Sequence, residues 1–158
     1  MKTNRLMRIL LESTRASIPI GPGSSSAPSL EVAAFDGSIL LVQQFRQSVS
    51  VSPKDFPDRT GYECFVNHIH LRYNGTRDSL MGLLSVVTQL QQNLAQYARD
   101  RQFLIILSIA GTECVVRFHE CRAGERWLVN DLEAYKEEAI LALSVGTGAG
   151  GPDATRAE

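Results

Sequence analysis

The chain is poor in the features that would announce a chemistry. Its 158 residues hold one tryptophan and three cysteines, and no apolar run approaches the roughly 18 residues needed to cross a bilayer. Cys64, Cys114 and Cys121 are an odd set without paired spacing, so they form no disulfide framework, and a reducing cytoplasm is the simpler compartment. Cations and anions nearly cancel, 16 Lys+Arg against 17 Asp+Glu for a net charge of -1. That excludes a nucleic-acid coat protein and a polybasic membrane binder, whose affinity needs an excess of positive charge. Neither nucleic acid nor membrane is expected as a partner. The stretch Leu6-Met7-Arg8-Ile9-Leu10-Leu11 is broken by Arg8 and closed by Glu12, which leaves no central apolar region for a signal peptide. What is present is apolar content for a core: 44% of residues are hydrophobic, enough for one domain of ordinary size.

Composition shifts divide the chain. Residues 1–28 carry Lys2, Arg5, Arg8 and Arg15 against Glu12, which is +3, so residues 29–158 sum to -4. The segment runs into Pro19-Ile20-Gly21-Pro22-Gly23-Ser24 and Pro28, a linker composition. It reads as a flexible basic segment, either a binding arm or an over-long start. Residues 29–145 read as a single domain, and the glycine-rich 146–158 as a disordered tail.

Within the domain, periodicity predicts the elements. Leu30 to Phe35 and Ile39 to Phe45 are strand-like runs around Asp36-Gly37, a hairpin signal. Gln47 to Asp58, with Pro53 and Pro57, reads as a loop. Tyr62 to Tyr73 alternates, placing Phe65, Ile69, Leu71 and Tyr73 on one face, with Asn67 the exception, and predicts a long strand. After Asn74-Gly75, with Thr76 or Asp78 as a cap, Leu80, Leu83, Leu84, Val87, Leu90, Leu94 and Tyr97 recur at steps of three and four, predicting an amphipathic helix over about 78–99. Phe103 to Ile109 is a strand covered on both faces, Ala110-Gly111-Thr112 a turn, and Glu113 to Cys121 an alternating strand. Trp127, Leu128, Leu132 and Tyr135 fall at helical spacing, and Ala139 to Leu143 closes as a strand or as the end of that helix. The expected fold class is α+β: two layers, a mainly antiparallel sheet, one long amphipathic helix and a shorter C-terminal helix.

Three constellations bear on function. His68 and His70 share a strand face, and with His119 they offer three imidazoles to a zinc ion, although His-x-His fixes no further ligand. Cys64 and His68 cannot pair as nucleophile and base along a strand, where i and i+4 stand about 13 Å apart; a cross-sheet Cys64–His119 pair stays open. No nucleophile elbow or phosphate loop is present, so no catalytic residue and no cofactor is assigned. The third is the acidic segment 131–138 beside aromatic residues. Trp127, Asp131, Glu133, Tyr135, Glu137 and Glu138 make a candidate protein-binding patch, since aromatics anchor an interface and carboxylates steer basic partners. The competing reading is a solvated face with Trp127 and Leu132 in the core.

The runs Val116-Arg117-Phe118-His119-Glu120-Cys121-Arg122-Ala123-Gly124-Glu125-Arg126-Trp127-Leu128 and Asp131-Leu132-Glu133-Ala134-Tyr135-Lys136-Glu137-Glu138-Ala139-Ile140-Leu141, with Glu63 to His70 as a weaker upstream piece, resemble small bacterial immunity proteins of polymorphic toxin and contact-dependent inhibition systems. The resemblance covers roughly residues 60–142. It implies a cytoplasmic inhibitor without catalysis that binds one cognate toxin domain, 1:1, and blocks its active site or substrate access. Charge reversal at Asp131, Glu133, Glu137 or Glu138 should then abolish protection. A scaffolding domain that self-associates through a sheet edge, as a homodimer, and a small metal-binding enzyme using His68, His70 and His119 are the alternatives.

Overall fold

The computed structural model describes residues 1–18 and 30–146. The α+β class and the mainly antiparallel sheet are as expected. Four α-helices and seven strands occur along the described residues. They are β1 (Lys2–Thr3), α1 (Arg5–Thr14), β2 (Val32–Phe35), β3 (Ser38–Leu41), α2 (Val42–Gln47), α3 (Arg59–Val66), β4 (His68–Arg72), α4 (Arg77–Ala95), β5 (Phe103–Ala110), β6 (Glu113–Glu120) and β7 (Ala139–Val145).

The long helix is where periodicity puts it. Thr76 caps α4 by accepting the Ser79 N–H, and Leu80, Leu83, Leu84, Val87, Leu90 and Leu94 are buried along one stripe. Each fully buried leucine is worth about 1.5–3 kcal/mol relative to exposure. The stripe lies on a five-stranded antiparallel sheet of order β1-β7-β5-β6-β4. Alternation along the strands sends Ile69, Val116, Phe118, Ile105, Leu107 and Leu141 to that face, where they join the α4 leucines in one core. The opposite face carries Arg117 opposite both His68 and Ile106, and Ile106 in turn opposite Ala142.

Three expectations change. The flexible basic segment does not describe residues 1–18. β1 pairs with β7, and Asn4 caps α1 and buries Met7 in the main core. Residues 19–28, like 147–158 of the expected tail, lie outside the described residues. The second arm of the hairpin ends early. Asp36 and Gly37 take φ of +45° and +79°, the primed turn that suits a two-residue connection, but after Leu41 the chain turns into α2 instead of continuing to Phe45.

The strand predicted over Tyr62 to Tyr73 is a helix followed by a strand. Asp58 caps α3 by accepting the Gly61 N–H, and only His68–Arg72 is extended. Tyr62, Glu63, Cys64 and Val66 are all buried while Phe65 is exposed, and a short helix covered on most sides mimics alternation. The shorter C-terminal helical element is present as one 3-10 turn, Leu132–Ala134, and of the two alternatives for the closing run Ala139–Val145 is a strand. Leu128, Leu132 and Tyr135 cover Ile106, Ile140 and Ala142 on the second sheet face, so their spacing reflects a common sheet-facing side without a continuous helix.

Candidate functional site

The sheet face bearing Arg117 holds the candidate site. On β4, His68 stands opposite Arg117 and His70 opposite Val115; two residues further along β6, His119 is paired with Leu104 of β5. The three histidines therefore share a face but not an environment. The His68 and His70 rings lie 5.0 Å apart, edge to face, with His70 exposed and His68 half-buried. His119 is buried, 3% exposed. Its Nδ1–H donates to the Glu120 carbonyl at 2.9 Å, and its Nε2 has no hydrogen-bond partner. Burial lowers its pKa below the ordinary histidine value. Among the described residues no group of three or more His, Cys, Asp or Glu is placed to hold a metal ion, and the zinc arrangement does not assemble.

The Cys64–His119 pair also fails to form, since the His119 Nδ1–H is given to the Glu120 carbonyl and its Nε2 has no hydrogen-bond partner. The Cys64 thiol is buried on α3, which pushes its pKa up to about 12, and a protonated thiol is a poor nucleophile.

Beside His68 the surface opens into a cleft of about 610 Å³. Its apolar wall is a run of rings: Phe56 lies 5.3 Å from Phe65, and Phe65 lies 5.9 Å from His68. His68 Nδ1 hydrogen-bonds the Phe65 carbonyl, which ties the strand to the helix end. The other wall is Arg117 with Trp127, the guanidinium carbon 4.9 Å from the ring centroid, together with Arg126 and His70. The carboxylate among the lining residues, Asp58, is occupied by the Gly61 N–H at 2.7 Å. Two guanidinium groups against one carboxylate thus line an aromatic cleft with an excess of positive charge, which suits an anion joined to an apolar body.

The sequence-derived patch is split by the fold. Trp127, 41% exposed, lines the cleft. Asp131 caps the 3-10 turn by accepting the Glu133 N–H at 3.0 Å. Glu133 turns toward α1, accepting the Arg5 N–H at 3.0 Å and pairing with Arg8 at 2.9 Å; the Arg5 N–H lowers its pKa below the usual carboxylate range. Tyr135 packs its ring on Ile106, Leu132 and Ile140, and its hydroxyl accepts the Val129 N–H at 3.3 Å. Glu137 is exposed and Glu138 half-buried, the latter giving its carbonyl to the Asn4 amide at 2.6 Å. Sequence reasoning passed over Arg117, Arg126, Phe56 and Phe65 as site residues. The adjacent Arg126-Trp127 pair and the alternation that faces Arg117 with His68 were the signals available.

The chain belongs to the Uncharacterized protein PM0498 family, whose model matches residues 2–148. No curated protein and no solved structure matches the chain.

Proposed function

We propose that this protein works by binding another protein without catalysing a reaction, as a cytoplasmic immunity protein that neutralises one cognate bacterial toxin domain in a 1:1 complex. The toxin assignment rests on the resemblance of residues 116–141. The observation in favour of binding is the cleft, where the chain's one tryptophan stays 41% exposed beside Arg117. Tryptophan and arginine are the residues that most often anchor interfaces. Burial pushes the Cys64 thiol up to about 12 and the His119 Nε2 has no hydrogen-bond partner, so these two do not work as nucleophile and base.

Within this reading the cleft is the better candidate for the interface than the acidic segment. Glu133 serves α1 and Asp131 serves its own turn, whereas Trp127 lines the cleft, so of the six candidate residues it is the one we place at the interface. The test is co-expression with the toxin-like domain encoded immediately upstream. Restored growth supports the reading; absence of such a neighbour, or of rescue, removes it. A folded triple variant with Asp131, Glu137 and Glu138 reversed should still protect, and loss of protection would return the interface to the acidic segment.

A further inference from the structure

Of the half-buried arginines among the described residues, Arg59, Arg101 and Arg122 each have a carboxylate within 4 Å, namely Asp36 at 3.8 Å, Glu120 at 3.3 Å and Glu63 at 2.6 Å. Arg117 is the fourth and has none. It makes no hydrogen bond or ion pair with any described residue; its guanidinium lies over the face of Trp127, near enough to the Cys64 thiol to act on it electrostatically. A guanidinium over an aromatic face keeps its in-plane N–H donors available, and their fork matches a carboxylate. Leaving such a group half out of water without an acceptor is unfavourable, and the fold supplies an acid to every comparable arginine it describes.

We propose that the cleft is a seat for an acidic side chain of the partner protein flanked by aromatic or aliphatic residues, with Arg117 receiving the carboxylate. This deepens the partner-binding reading above and rests on it. Charge complementarity fixes the sign. Arg117 and Arg126 line the cleft against the single carboxylate of Asp58, whose Oδ1 caps α3, and Arg126 donates to the neutral Asn130 at 2.6 Å, so the lining is net positive. The apolar surface sets the size. Phe65 is 43% exposed, Trp127 41% and Val129, two residues past Trp127, 52%. The Phe65 and Trp127 rings leave apolar surface exposed in the same cleft as Arg117, which suits a segment of chain with apolar residues beside its acid.

Trp127 is the chain's one tryptophan, so intrinsic fluorescence reads the cleft directly. The probes are the synthetic peptide acetyl-Ala-Phe-Glu-Phe-Asp-Ala-amide and its analogue with Gln and Asn replacing the acids, titrated into the full chain. The acidic peptide should shift Trp127 emission saturably and bind at least about tenfold more tightly than the neutral one, as expected for a charge-assisted pair. Arg117→Gln should erase that preference and Arg117→Lys should keep part of it, both with an unchanged thermal midpoint. Phe65→Ala, at an exposed position, should weaken both peptides several-fold without unfolding the chain.

Equal binding of the two peptides, a flat emission with both, or an Arg117→Gln variant that keeps the preference would each overturn the seat. So would free 4-phenylbutyrate binding more tightly than the acidic peptide, which would reassign the cleft to a small organic anion. The co-expression assay separates the two proposals. Rescue by a folded Arg117→Gln variant as complete as by wild type overturns the seat and leaves the immunity reading standing. Peptide preference without any rescue keeps the seat for an acidic segment and removes the toxin.

Discussion

Arg122 holds Glu63 at both ends of its guanidinium, Nη2 donating to Oε1 at 2.6 Å and Nη1 to Oε2 at 3.0 Å. The Glu63 side chain is 1% exposed, and its Oε2 also accepts the Glu120 N–H at 2.8 Å. Arg122 further reaches Glu120 at 2.9 Å, which Arg101 joins at 3.3 Å. The chain leaving β6 is thereby fastened to α3, the helix whose Phe65 forms a wall of the cleft.

Removing one partner strands the other as a poorly solvated charge. Arg122→Ala should cost about 3–5 kcal/mol of unfolding free energy, read as a lower urea midpoint. Glu63→Gln, which keeps the shape and part of the hydrogen bonding, should cost less than Glu63→Ala. If Arg122→Ala unfolds with the wild-type midpoint, the network holds nothing together.

His119 supplies a pH dependence. Burial is the largest influence and lowers its pKa from 6.5; the Glu120 carbonyl, Glu63 and Glu125 act the other way, and Arg122 adds to the lowering. Between the lowered native value and the unfolded value near 6.5, the unfolded chain holds a proton that the native chain refuses. Stability from this group is therefore complete above about pH 6.5 and declines as pH falls below it. His119→Gln should flatten that part of the profile, measured as the difference in urea midpoint between pH 7.5 and pH 5. An unchanged slope would mean that His119 is protonated in the native state.

Two buried asparagines act as fasteners. The Asn67 side chain accepts the Leu41 N–H at 2.8 Å and donates to the Ile39 carbonyl at 2.9 Å and the Phe118 carbonyl at 3.3 Å, joining the β2–β3 hairpin to the main sheet. Asn4 accepts from Met7 and Ile140 and donates to the Tyr135 and Glu138 carbonyls. Each buried group left unsatisfied costs about 1–3 kcal/mol. Asn67→Ala and Asn4→Ala should each lose at least that much, and Asn4→Ala should also speed amide exchange in α1 ahead of the sheet.

The cysteines should separate by accessibility. Burial pushes Cys64 up to about 12 and Cys114 up to about 11, while Cys121 is exposed and also raised by burial of its thiol. A maleimide at pH 7 should label one site on the folded chain, slowly, and all three in denaturant, as read by mass spectrometry. Rapid native labelling of Cys64 would contradict the burial of α3.

How much of this was legible depends on distance along the chain. Periodicity carried α4, and alternation carried β5 and β6, because those signals sit within one element. Asn67, the exception in the alternating run, marks where the helix gives way to β4 and where three backbone groups converge. In α1, Leu6, Met7, Leu10 and Leu11 follow an Asn cap at helical spacing, but the cations beside them and the linker composition after them outweighed that signal. The Glu63–Arg122 pair spans 59 positions and leaves no local trace. Arg117 stands out as a lone cation only once the partners of the other half-buried arginines are known.

The pairing of Lys2 with Ala142 and of Thr3 with Leu141 sets an order of events as the chain is made. β1 and α1 leave the ribosome well before the strand that receives them, which is the last described strand to be synthesised. Closing a loop of that length costs chain entropy that local contacts cannot offset in advance. Until β7 joins β5, Met7 has only part of its core to enter, and the Asn4 amide has no carbonyls to receive it. The residues of β1 and α1 are thus among the last of the described chain to settle, and a nascent chain stalled before Ala139 would carry α1 without the strand it packs beside.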